Sequence, residues 1–127
     1  MKELTKAEEQ IMQYIWEIEK GVLKDIFKKF PEPKPAYTTI STVIRVLVKK
    51  GFIGYKAYGK VHEYFPLVKK PEYFKFYFNR IVKDHFSNSL KKFASFFANE
   101  NNLSLTELEG LKELVEEKIH EKKAEET

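Results

Sequence analysis

Apolar residues recur at helical spacing early in the chain, with Ile11, Ile15 and Ile18 on one stripe and Met12 and Trp16 beside it. Ahead of that stripe, Thr5-Lys6-Ala7-Glu8 has the form of a capping box: the Thr5 hydroxyl accepts the amide of residue 8, and Glu8 reaches back to the amide of residue 5. The spacing predicts a helix over about 5–20, with Gly21 as its stop. Val22, Leu23, Ile26, Phe27 and Phe30 form a second, short stripe that Pro31 ends. Pro31-Glu32-Pro33-Lys34-Pro35 is stiff and extended, a spacer between helices. From 36 to 50, Ile40, Val43, Ile44, Leu47 and Val48 share one face of a third helix, and Gly51 ends it. Residues 52–58 and 61–67 read as two strands around a turn at Tyr58-Gly59. Ile53, Tyr55 and Ala57 alternate on the first strand, and His62, Tyr64 and Pro66 on the second.

Pro71 opens a segment of different composition. Residues 71–97 hold nine of the 19 aromatic residues, so a boundary is expected at residue 70, between domains 1–70 and 71–127. Ser87-Asn88-Ser89 divides the segment into helices of about 71–86 and 89–99. Ser104-Leu105-Thr106-Glu107 is a second capping box, followed by the narrow stripe Leu108, Leu111, Leu114, Val115 and Ile119. The tail, Glu121 to Thr127, is expected to fray.

The predicted class is therefore mainly α with a small β-hairpin. Two helices, a connector, a third helix and a hairpin within residues 1–70 follow the order of a winged helix-turn-helix, whose third helix enters the DNA major groove. The remaining helices have too little chain to bury their aromatic rings alone. A C-terminal helical dimerisation domain is the expectation, with Tyr73, Phe74, Tyr77, Phe78, Ile81, Phe93, Phe97, Leu108, Leu111 and Val115 facing a second copy.

Charge sharpens this division. Residues 1–70 carry 14 basic against 8 acidic groups, and residues 71–127 carry 9 against 11. Between 35 and 70, Arg45, Lys49, Lys50, Lys56, Lys60, Lys69 and Lys70 face a single acid, Glu63, which points to a polyanionic partner. Residues 36–50 contain no acid, although an ordinary amphipathic helix covers its solvent face with mixed Glu and Lys. Thr38, Thr39, Ser41 and Thr42 can bond phosphates or base edges, and Arg45 can hold guanine through two bonds. Lys49 and Lys50 suit phosphates, and Lys56, Tyr58 and Lys60 at the hairpin tip suit the neighbouring backbone or minor groove. The partner expected from these residues is double-stranded DNA. A winged-helix protein-interaction adaptor is the alternative, and salt-dependent retention on duplex DNA separates the two.

Other chemistry finds little support. There is no cysteine for a disulfide, a thiolate metal site or a cysteine nucleophile. His62, His85 and His120 stand singly, without a helical partner for a metal, and His62 reads as a strand-face residue. No nucleophile-base spacing or glycine-rich phosphate loop is present, so no catalytic residue, metal or cofactor is expected. No stretch approaches the roughly 18 apolar residues of a membrane span, and the N-terminus lacks a signal-peptide pattern, so a cytoplasmic protein is expected.

Several motifs taken together resemble the penicillinase repressor family. They are Leu4-Thr5-Lys6-Ala7-Glu8, Ile15-Trp16, Ala36-Tyr37-Thr38-Thr39-Ile40, the run from Leu47 to Ile53, and Tyr64-Phe65-Pro66-Leu67. The likeness continues through Phe97-Ala98-Asn99-Glu100 and Leu103-Ser104-Leu105-Thr106-Glu107-Leu108. The resemblance implies a dimeric winged-helix repressor on an inverted-repeat operator, commonly controlling β-lactam resistance. It also implies release when a membrane-embedded sensor metalloprotease triggers cleavage, here aligning between Phe96 and Phe97. Phe96 stands where the family's resistance repressors have asparagine. Copper-responsive relatives use a cysteine-rich C-terminal motif, which this chain lacks.

Overall fold

The structure is a computed structural model that describes every residue, Met1–Thr127. Its elements are α1 (Lys6–Ile18), β1 (Gly21–Val22), α2 (Leu23–Lys29), α3 (Tyr37–Lys49), β2 (Ile53–Tyr58), β3 (Val61–Pro66), α4 (Lys70–His85), α5 (Leu90–Glu100) and α6 (Leu105–Glu126). The chain forms two compact units, Met1–Asn79 and Arg80–Thr127.

In the first unit the apolar stripes anticipated for the three helices meet. Ile11, Met12 and Ile15 of α1, Ile26 of α2, and Ile40, Ile44 and Leu47 of α3 are buried in one cluster with Phe52 and Ile53. The capping box of α1 is formed, with the Glu8 amide donating to Thr5 Oγ1 at 3.2 Å and the Thr5 amide donating to Glu8 Oε1 at 2.9 Å. At the end of α3 the amides of Gly51 and Phe52 donate to the carbonyls of Val48 and Leu47, each at 3.0 Å. This closure needs a left-handed residue, and Gly51 has φ +83°.

β2 and β3 pair antiparallel with Ile53 opposite Pro66, Tyr55 opposite Tyr64 and Ala57 opposite His62, so the two alternating rows share one face. Tyr58 lies opposite Val61, which puts the turn at Gly59-Lys60, one residue later than expected. A third strand was not expected. Gly21–Val22 adds to the outer side of β3, opposite Tyr64 and Glu63, giving the order β1-β3-β2. Gly21 therefore continues the chain as strand, while Glu19, at φ +66°, turns it out of α1. A Cβ on Gly21 would sit 2.7 Å from Ile18 Cδ1, so close approach is what this glycine supplies.

The compositional change at residue 70 marks the start of α4 rather than the division between the units, which falls nine residues later. The first turns of α4 belong to the first core. Tyr73 is 0% exposed there, its hydroxyl accepts the Leu4 amide at 2.9 Å, and Phe74, Phe76 and Tyr77 pack against the same cluster. Tyr73 is thus corrected from a dimer-face residue to a core residue of the first unit. Trp16 Nε1 also donates to the Val68 carbonyl at 2.8 Å, fixing the approach to α4.

In the second unit, Ser87 and Asn88 take left-handed conformations that end α4, and the Ser89 hydroxyl caps α5 by accepting the Lys92 amide at 3.1 Å. Phe86 meets Phe93 edge-on at 5.3 Å and Phe96 at 5.4 Å. Neither α5 nor α6 has a buried residue. α6 runs to Glu126, where a frayed tail was expected. Ion pairs Lys118–Glu121 and Lys122–Glu125 span its last turns.

Candidate nucleic-acid interface

Burying Ile40, Ile44 and Leu47 turns the opposite side of α3 outward. Thr38, Thr39, Thr42, Arg45 and Lys49 are exposed, and Ser41 is half-buried. Thr38, Thr42, Arg45 and Lys49 follow one another at intervals of three or four residues, so they form one stripe along the helix. The Thr42 hydroxyl donates to the Thr38 carbonyl at 2.8 Å, which spends its proton inside the helix and leaves its lone pairs to accept.

The start of α3 is held by contacts that the sequence pattern did not show. Lys34 Nζ donates to the Phe27 and Lys28 carbonyls at 3.3 and 3.4 Å and to that of Phe30, closing the end of α2. The same ammonium lies 5.2 Å from the Phe27 ring centroid. Phe27 stacks on Tyr37 with centroids 4.2 Å apart and 15° between planes. Tyr37, the first residue of α3, is 44% exposed and stands beside the threonine stripe. An aromatic residue at the first position of an acid-free helix was the available signal.

On the hairpin, Lys56, Tyr58 and Lys60 are all exposed, with Lys56 Nζ 5.4 Å from the Tyr58 ring. Tyr55, also exposed, stacks on His62 at 4.3 Å and 11°, so His62 is the strand-face residue expected of it. Burial raises the Tyr64 phenol above its usual range, and Tyr55 adds to this, while Arg45 opposes it.

Lys50 departs from the rest. Its ammonium is 2.7 Å from Glu8 Oε2, a carboxylate in the first turn of α1. Burial pushes the Glu8 carboxyl up, but the bonds from Lys50 and Thr5 and the lysine's charge outweigh it and hold Glu8 below the ordinary carboxylate value. The remaining cations on α3 and the wing carry the outward positive charge.

A three-helix core, an antiparallel wing and an outward, acid-free third helix define a winged helix-turn-helix protein. The penicillinase repressor family model matches residues 4–117, and the chain belongs to that family. The methicillin resistance regulatory protein MecI of Staphylococcus aureus (strain N315) is 28% identical over 121 residues, covering 91% of this chain and 95% of that protein. The penicillinase repressor of Bacillus licheniformis is 23% identical over 122 residues, covering 95% of each. The solution structure of the DNA-binding domain of the repressor BlaI is similar with a TM-score of 0.49 and 26% identity, over 57% of this chain and 94% of that one.

Proposed function

We propose that the protein is a DNA-binding transcriptional repressor that acts by binding rather than catalysis. It engages an inverted-repeat operator as a homodimer in the cytoplasm, with α3 of each protomer in a major groove. The observation that carries this reading is the exposed, acid-free stripe Thr38-Thr42-Arg45-Lys49, flanked by Thr39 and by the wing residues Lys56, Tyr58 and Lys60. Family membership supports it, since relatives over nearly the whole chain are named as a penicillinase repressor and a methicillin resistance regulatory protein. No helix is long and apolar enough to cross a membrane.

The second copy is proposed to cover α5 and α6. Phe96 and Phe97 are 52% and 40% exposed, and Leu108, Leu111 and Val115 on α6 are exposed as well. Phe78, Ile81 and Phe93 belong to the same proposed contact, whereas Phe74 and Tyr77 are partly buried against the first core. Release in a β-lactam-resistance type of circuit would follow cleavage between Phe96 and Phe97 by a membrane sensor metalloprotease. That bond lies inside α5, so the helix must open before a protease can take it as extended chain.

The test is enrichment of duplexes from a randomised pool by the full chain, followed by variants. Arg45→Ala is expected to lose about 1–3 kcal/mol on the enriched duplex and to flatten discrimination against random sequence. Lys60→Ala should weaken both duplexes alike and lower the logarithmic salt slope by about 0.9. Failure to enrich any sequence, with salt-independent retention on DNA, would favour a protein adaptor and defeat this reading.

A further inference from the structure

Lys50 closes α3, a helix with no acid of its own, yet its charge is already committed. Its side chain is 32% exposed and that of Glu8 only 5%, and the two meet at 2.7 Å across 42 residues of sequence. The carboxylate is doubly held, because its second oxygen accepts the Thr5 amide at the start of α1. The lysine is equally fixed. It is the C-cap residue of α3, its amide donates to Val46 at 2.9 Å, and the next two amides close on Val48 and Leu47 before β2 begins. Each charge also sits at the helix end whose dipole favours it, the anion in the first turn of α1 and the cation at the end of α3. One ion pair therefore joins the start of the first helix to the tail of the helix that presents Arg45 and Lys49.

We infer that Lys50 is a positioning residue and not a phosphate contact: its pair with Glu8 seats the C-terminal end of α3 and so sets how Arg45 and Lys49 meet DNA. The inference rests on the DNA-binding reading above. Arg45 lies five residues before Lys50, about 7.5 Å along the axis, so a loosened tail moves its guanidinium directly. Two-bond recognition of a base tolerates only about 0.5 Å of misplacement, whereas attraction to phosphates depends mainly on how many cations are present.

The experiment compares Glu8→Gln, Lys50→Met, the double variant and Lys50→Arg in the full chain. Each is titrated with a duplex enriched by the wild type and with random-sequence duplex, at several salt concentrations. Each single variant should lose about tenfold on the enriched duplex. The double variant should lose no more than either single, the salt slope should stay unchanged, random duplex should bind nearly as before, and Lys50→Arg should restore affinity. Should Lys50→Met fail to fold, Glu8→Asp, which keeps the charge but shortens its reach, is expected to show the same loss of discrimination. A slope lowered by about 0.9 in Lys50→Met, with tighter binding by Glu8→Gln, would make Lys50 a phosphate contact and overturn the inference. A lower melting temperature with wild-type affinity for the enriched duplex would reduce the pair to a purely structural one and overturn it equally. A wild type that enriches no duplex would defeat the DNA-binding reading itself, and the inference with it.

Discussion

Helices α1 and α6 open with the same device, Thr5 with Glu8 in one and Ser104 with Glu107 in the other, and both capping boxes are formed. Their apolar stripes then meet opposite fates. Ile11, Met12 and Ile15 of α1 are at most 2% exposed, whereas the apolar residues of α6 from Leu105 to Ile119 are 42% to 72% exposed. The difference extends to the units that contain them, since every buried apolar side chain of the protein except Val82 lies in residues 1–79. A local start signal makes a helix, but what covers its stripe is decided by the chain elsewhere. In the first unit the cover comes from the same protomer, and in the second we propose that it comes from another copy. Large exposed apolar faces of that kind mark interaction surfaces.

Truncations in the two units should therefore report on different quantities. Ile44→Ala empties a site that is 1% exposed in the first core and is expected to cost about 2–5 kcal/mol in chemical denaturation, leaving the oligomeric mass unchanged. The comparison breaks if Leu111→Ala on α6, at 45% exposure, destabilises a monomeric sample as much. The next effect in size belongs to association. Leu108→Glu with Leu111→Glu places two charges in the proposed contact, and sedimentation should then give monomer mass. Affinity for a duplex with two half-sites should fall by about 100-fold or more, because the second docking event loses its high effective concentration, while affinity for a single half-site is preserved. A double variant that stays dimeric would remove α6 from the interface.

What the sequence made legible divides along the same line of local against distant. The helices, the hairpin faces and both capping boxes rest on signals within a few residues, and each is present with ends shifted by at most two positions, except that α6 runs on to Glu126 through the tail expected to fray. β1 escaped because two residues are too short to show an alternation. Tyr73 was misplaced because a change in composition says nothing about where a ring packs, and its burial is fixed by an amide 69 residues away. Lys50 reads as one more lysine of a basic stretch, since its partner belongs to another helix. Among the proposed interface residues, the outward stripe of α3 was legible because it is the complement of the buried one. Tyr37 and Tyr55 were not singled out because aromatic residues read first as core.

A smaller effect tests whether α4 is divided as its burial indicates. Tyr73→Phe keeps the ring and removes the hydroxyl that accepts the Leu4 amide, leaving a buried donor without its partner. The expected cost is about 1–3 kcal/mol in denaturant unfolding, with no change in oligomeric mass. A shift toward monomer in this variant would return Tyr73 to the dimer contact.

The smallest effect separates the two capping boxes by pH. Both carboxyls are held below the ordinary value. Glu8 is so held by Lys50 and Thr5 against the opposing effect of burial, and fully exposed Glu107 by its bonds to the Ser104 amide and hydroxyl. A carboxyl whose folded value is depressed contributes stability that is complete above its unfolded value, near 4.5, and is lost as pH falls through the folded value. Glu8→Gln should therefore flatten the decline in stability below about pH 4.5, as well as lowering stability at neutral pH where the ion pair is lost. Glu107→Gln should leave the acid limb of global unfolding almost unchanged, because solvent and salt screen an exposed cap and α6 rests on no core of its own protomer. Unfolding followed from pH 3 to 7 by tryptophan fluorescence reads the first unit through Trp16, which packs against Tyr73 and Phe74. If Glu107→Gln shifted that limb as far as Glu8→Gln, the two boxes would be thermodynamically alike, and the contrast between a helix covered by its own chain and one left open would lose its meaning for stability.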